Sequence, residues 1–234
     1  MKKSTTEEIR ARFDNDVERF SNLETGQTAA MDSPLMLDLI AQAAAGSTPH
    51  ATALLDIGCG AGNLSLKLLE RRPGLDVTLI DLSQPMLTRA VERIGKGRAI
   101  QGDIREVTLG AASFDIAVGA AVFHHLRGEE EWRSVFEKVY GSLRPGGSFW
   151  IADLISHSTP AIQELMWGRY GDYLTALKGP EYRRHVFEYI EHEDTPRPLL
   201  FQLDLMREVG FGEVEILHKN GCFAAFGGLK RADG

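Results

Sequence analysis

The chain has 234 residues, 43% hydrophobic and 25% charged, with a formal net charge of −7. That length suits one large α/β domain, and the acidic balance argues against tight non-specific binding of nucleic acid, which draws on basic surface. No apolar run approaches the ~20 residues that cross a bilayer, and MKKSTTEEIRARF has no apolar stretch behind its lysines, so a cytoplasmic protein without a signal peptide is expected.

Residues 5–20 carry Ile9, Phe13, Val17 and Phe20 at helical spacing on a charged segment. A second helix is expected from Ser33 to Ala45, capped by Ser33, with Pro34 in its first turn and Leu35, Leu39 and Ile40 on one face. Residues 46–51 read as a loop. Strand-like runs follow at residues 53–58, 76–81, 98–103, 114–122 and 147–154, with helical patterns between most of them. Such alternation, with nearly continuous apolar strands, predicts a doubly wound, mostly parallel sheet. Residues 156–200 are rich in aromatics, arginine and proline and read as mostly helical. A last helix (202–211) leads to strand-like runs at 213–219 and 222–230 that close a seven-stranded sheet, the final one antiparallel. The organisation expected is a single domain over 1–234, with a helical cap at 1–48 and a helical lid insertion at 156–200.

Ligands of doubly wound sheets lie outside the carboxyl ends of the strands, so the strand ends carry the argument. The first strand ends in LLDIGCGAGNLSL, placing Asp56 two residues ahead of Gly58, Gly60 and Gly62. Glycines there let the backbone approach a nucleotide-like ligand where a Cβ would clash; a tight turn with no ligand is the alternative. The second strand ends at Asp81, whose carboxylate can accept both hydroxyls of a ribose diol. Alternatively it is a helix N-terminal acid, although Ser83 can cap that helix itself. The third ends at Asp103. The fourth ends at Ala120 and Ala121, small residues followed by His124 and His125, which read either as a base or as packing. Cys59 and Cys222 form neither a disulfide framework nor a zinc spacing, and no metal site is read from the sequence.

The series D-x-G-x-G-x-G, a later Asp, then Gly-Asp, then LRPGG before a strand resembles the class I S-adenosylmethionine (SAM)-dependent methyltransferases over residues 50–155. The resemblance implies the Rossmann-like methyltransferase fold, SAM as cofactor and S-adenosylhomocysteine (SAH) as product. It implies cofactor contacts from Asp56, Gly58, Cys59, Gly60, Gly62, Asp81, Leu82, Met86, Gly102, Asp103, Ile104 and Ala120. Among these, Asp103 and the Ile104 N–H meet the adenine. The outer segments loosely resemble the carboxy-SAM synthase of wobble-uridine modification, from which Ala120 departs. Methyl transfer to a small-molecule acceptor is the leading expectation. A carboxy-SAM synthase-like or tRNA-modification-related enzyme, a nicotinamide oxidoreductase and a non-catalytic SAM-binding module are the alternatives. Asp56, and Asn63 where a dinucleotide motif has glycine, count against the oxidoreductase.

Phe13, Phe20 and the segment around Met31 are expected to line the acceptor pocket with Trp167, Arg169, Tyr170 and Tyr173. Lid core or a subunit interface is the competing reading of that aromatic group, which also makes a homodimer an expectation. His124 and Tyr170 are the candidate catalytic side chains.

Overall fold

A computed structural model describes residues 3–232; Met1, Lys2, Asp233 and Gly234, at the two ends of the expected 1–234 unit, lie outside the described residues. The strands are β1 (Ala53–Ile57), β2 (Asp76–Asp81), β3 (Arg98–Gln101), β4 (Phe114–Ala120), β5 (Leu143–Leu154), β6 (Phe211–Asn220) and β7 (Phe223–Lys230). Among the described residues they form one sheet in the order β3-β2-β1-β4-β5-β7-β6. The first five pair in parallel, and β7 runs antiparallel to both β5 and β6. This is the seven-stranded, mostly parallel α/β architecture that the strand–helix alternation predicts.

The strands read as apolar runs because both faces of the sheet are covered. Alternate residues point to opposite faces: Leu54, Trp150 and Ala152 enter one core, whereas Leu55, Phe149 and Ile151 enter the other. The first core is covered by α4 (Ser33–Ser47), α5 (Asn63–Arg71) and α6 (Gln84–Ile94); the second by α7 (Glu129–Ser142) and α10 (Leu199–Val209). Strand order reverses between β1 and β4, so the carboxyl ends of β1, β2 and β4 surround one crevice.

Two further helical layers complete the fold, and the amino-terminal one lines that crevice. The amino-terminal pattern forms α1 (Thr6–Asp14) and α2 (Val17–Ser21), followed by α3 (Leu23–Gly26), instead of one helix over 5–20. A capping box closes the start of α1, where the Glu8 N–H donates to Thr5 Oγ1 and Glu8 Oε2 accepts the Thr5 N–H. The break comes at Asn15, whose amide donates to the Ala11 carbonyl; apolar periodicity runs across that interruption and hides it. Further along, Asp32 caps α4 in a left-handed conformation, so Ser33 is inside the helix that it was expected to cap.

The second layer is α8 (Pro160–Lys178) and α9 (Pro180–Glu193), inserted after β5. Tyr170 donates its hydroxyl to the Ala29 carbonyl at 3.0 Å, and Tyr173 donates to the Thr28 carbonyl at 2.7 Å. Arg12 on α1 pairs with Glu193 and donates to the Tyr189 hydroxyl at 3.2 Å on α9. The amino-terminal segment and the inserted helices therefore hold each other at both ends.

Candidate active site

The turn after β1 carries the main constraint. Gly58 has φ +62, and a Cβ added there would lie 2.5 Å from Val122 Cγ2. Gly60 has φ +50, but its added Cβ would meet no heavy atom within 4 Å. The first glycine makes room for a neighbouring side chain; the second faces open space that a bound molecule can fill. Gly62, by contrast, is the N-cap of α5 and packs its α-carbon toward Ala90 of α6. Across the turn, Ala121 at φ +54 aims Val122 over Gly58.

Two chambers open from this turn and meet at Gly58, Asp81, Leu82, Val122 and His125. The inner one, of about 100 Å³, has Asp56, Cys59, Gly60, Met86 and Ala120 in its floor and Phe13, Phe20 and Gln27 in its wall. The outer, of about 660 Å³, is walled by Gly102, Asp103, Ile104, Arg105, Arg127 and the amino-terminal residues 3–7 and 9. Its volume falls within the range of cofactor sites. Among the sequence-predicted contacts, Gly62 lines neither chamber, nor do Trp167, Arg169, Tyr170 and Tyr173. Trp167 instead stacks on Phe187 at 5.2 Å, Tyr170 is buried against Phe223 at 5.2 Å, and Arg169 is exposed. Met31 packs on the core instead of lining either chamber.

Each carboxylate of the crevice is held differently. Asp56 accepts from Ser65 Oγ at 2.6 Å, and burial pushes its pKa up to about 7. Asp81 accepts from the Gly60 N–H at 2.8 Å and the Ser83 N–H at 2.9 Å. Burial pushes Asp81 up to about 6 against the lowering effect of those donors. Ser83 caps α6 through the Met86 N–H, as its position predicts, which leaves Asp81 to the loop and the cavity. Asp103 is gripped by the Arg105 guanidinium and backbone N–H; although burial opposes it, this holds the carboxyl below its ordinary range. Lys138 secures the same loop by donating to the carbonyls of Ile104, Arg105 and Val107.

Neither the role of His125 nor that of Asp153 was legible from spacing. A 3₁₀ turn over Phe123–His125 follows β4. His124 is buried outside both chambers with Nδ1 bonded to Asp153, which also accepts the Phe123 N–H at 2.8 Å and the Leu154 N–H at 2.7 Å. Burial opposes charge on His124, but Asp153 and Asp194 outweigh it and push its pKa up to about 9. His125 is the imidazole that lines the cavity. Burial and the neighbouring His124 charge hold it well below the ordinary value.

Residues 54–147 match a family model described as a methyltransferase domain, Methyltransf_25. This segment of the chain is thus similar to methyltransferase domains. An uncharacterized methyltransferase of Mycobacterium tuberculosis is 33% identical over 116 residues, covering 49% of this chain and 55% of that protein. Carboxy-S-adenosyl-L-methionine synthase of Nautilia profundicola is 23% identical over 178 residues, covering 74% of this chain and 75% of the synthase. The chain spans about half the length of the first curated relatives it matches. Human N-acetylserotonin methyltransferase, solved with SAM, shares the fold at a TM-score of 0.62 with 18% identity, covering 97% of this chain and 60% of that one. Among the described residues no helix is long and apolar enough to cross a membrane.

Proposed function

We propose that this chain binds SAM across the two chambers and transfers its methyl group to a small-molecule acceptor. The observation that carries the reading is the junction of the chambers at Gly58 and Asp81, with open space above Gly60 and buried carboxylates on either side of the turn. These residues fit the cofactor: Asp81 takes the ribose diol, Asp103 and the Ile104 N–H take the adenine, and Asp56 with residues 59–60 and Ala120 surrounds the amino-acid end. When bound, SAM supplies a methyl group already activated by its sulfonium.

The chain's own task is then to align the acceptor and exclude water. Phe13 and Phe20 meet edge to face at 5.4 Å in the inner wall and present an apolar surface to the acceptor. Trp167, Tyr170 and Tyr173 hold the lid closed by packing and by their bonds to residues 28–29. His124, turned to Asp153, takes no proton from the acceptor. Exposed Ile162 and Leu165, three residues apart on α8, support pairing with a second copy, which light scattering after gel filtration tests. The free, buried Cys59 and Cys222 fit a reducing, cytoplasmic setting.

Isothermal titration of the full chain with SAH, followed by SAH release over an acceptor screen, tests the reading. Binding with release supports it; binding without release across the screen supports a non-catalytic module instead. A melting shift with NADH and none with SAH would overturn it, since only a ligand that binds the native state stabilises it. A second reading is favoured by the three-quarter coverage of the carboxy-SAM synthase: the bound nucleoside is the carboxylated derivative. Mass spectrometry of the co-purified nucleoside separates the two.

A further inference from the structure

We propose that His124 Nε2, His125 Nδ1 and the Asp194 carboxylate bind a divalent metal ion of the zinc type, which fastens the end of α9 to the turn after β4. The two histidines share the 3₁₀ turn after β4 and Asp194 follows α9, and their donor atoms all lie within 4.8 Å of one another. Asp194 Oδ1 is 3.3 Å from His125 Nδ1 and 3.6 Å from His124 Nε2. Zinc at about 2.0 to 2.2 Å from each donor sets tetrahedral donor pairs about 3.3 to 3.6 Å apart.

A second, independent observation points to a ligand. Asp194 Oδ1 sits on a side chain only 3% exposed and has no hydrogen-bond partner, and neither ring nitrogen of His125 has one. Buried polar groups left without partners are costly, and a cation between them satisfies Asp194 Oδ1 and His125 Nδ1 together.

The surroundings are those of a metal centre. Asp153 accepts from His124 Nδ1–H while three backbone N–H groups fix the carboxylate. That arrangement aims Nε2 at Asp194 and His125, and its lone pair becomes a ligand once the ion displaces the Nε2 proton, the carboxylate–histidine–metal relation that orients ligands. Of the nearby cations, Arg12 is paired with Glu193, and Arg127 donates to the Thr195 hydroxyl at 2.9 Å. Three protein donors leave a fourth position for water. The competing arrangement is a protonated His124 bridging Asp153 and Asp194 with no metal. The proposal touches the methyl-transfer reading at His125, which lines both chambers, so metal binding and SAH binding are measured separately.

The test is titration of the chelator-treated full chain with Co²⁺ and Zn²⁺, with SAH binding measured in parallel by calorimetry. The expected result is one equivalent of Co²⁺ with the visible absorption of a tetrahedral site, displaced by Zn²⁺, and a melting temperature raised by Zn²⁺ and restored by chelator. His125→Ala and Asp194→Asn should abolish the absorption. Asp153→Asn should weaken binding by roughly 10- to 100-fold, as loss of an outer partner does. If a variant fails to fold, the wild-type titration alone decides. Absence of tetrahedral absorption and of a Zn²⁺-dependent melting shift in wild type overturns the proposal, as does an unchanged Co²⁺ spectrum in folded His125→Ala.

Discussion

Asp81→Asn separates the binding role of Asp81 from its structural one. The side chain is 9% exposed as a residue and accepts two loop N–H groups. Its pKa stands at about 6 against an ordinary 3.8, so its ionised form costs folding about 3 kcal/mol above pH 6 relative to the unfolded chain. The sign follows from the raised value: the contribution is most favourable below 3.8 and is lost as pH rises through about 6. Asparagine removes that cost but turns an amide toward one of the loop N–H groups, at about 1 to 3 kcal/mol. The two effects oppose, and the melting temperature should move little.

Affinity behaves otherwise. Hydrogen bonds to a charged partner contribute about 1.5 to 3 kcal/mol, so SAH should bind roughly 10- to 150-fold more weakly at pH 8. Protonated aspartic acid resembles asparagine, so the gap should close as pH falls through about 6. Burial, with the Asp81 charge adding to it, pushes Asp56 up to about 7 in the wild type, so Asp81→Asn lowers Asp56, and the ratio at pH 8 compares the two proteins with Asp56 ionised in both. Calorimetry at pH 5, 6, 7 and 8 reads that ratio directly. A ratio near one at pH 8, or one that does not change with pH, refutes the assignment of Asp81 to the ribose.

Gly60→Ala should fold, since its Cβ meets no protein atom. The left-handed backbone costs about 1 to 2 kcal/mol, a fall of several degrees by calorimetry, and the methyl in the inner chamber should weaken SAH more than tenfold. Tyr170→Phe loses one hydrogen bond to Ala29, about 1 kcal/mol or roughly 2 to 4 °C, with kcat and SAH affinity unaltered. A kcat drop above tenfold at unchanged stability would instead place its hydroxyl in the chemistry. For Asp103→Asn, the preference for SAH over S-inosylhomocysteine, whose base presents a carbonyl in place of the amine, should narrow by roughly tenfold, one good hydrogen bond. An unchanged preference in competition titration would remove Asp103 from the adenine.

The strand ends were legible because each is a local pattern: an apolar run that stops at Asp56, Asp81, Asp103 or Ala120, beside glycine or a capping serine. The doubly wound, mostly parallel sheet followed from alternation with helices, whereas the order of its strands came from the structure. What the sequence hid are relations between distant positions and breaks within a continuing period. Asn15 interrupts α1 without disturbing the spacing of Ile9, Phe13, Val17 and Phe20. The aromatic run 167–173 has the composition of a binding surface, but only the long-range bonds of Tyr170 and Tyr173 to residues 28–29 reveal its use in packing. His124 and His125 were visible as a pair, whereas Asp153 and Asp194 join them from other elements about 30 and 70 positions away. No local spacing encodes that cluster; the signal was an acid ending β5 opposite two histidines.

The most direct test of the account is a crystal of the full chain soaked with SAH. The account predicts nucleoside density that crosses from Asp103 in the outer chamber, past Asp81, to Gly60 and Asp56 in the inner one. Crystals that leave both chambers empty under saturating SAH, or that hold the nucleoside elsewhere on the molecule, would contradict it.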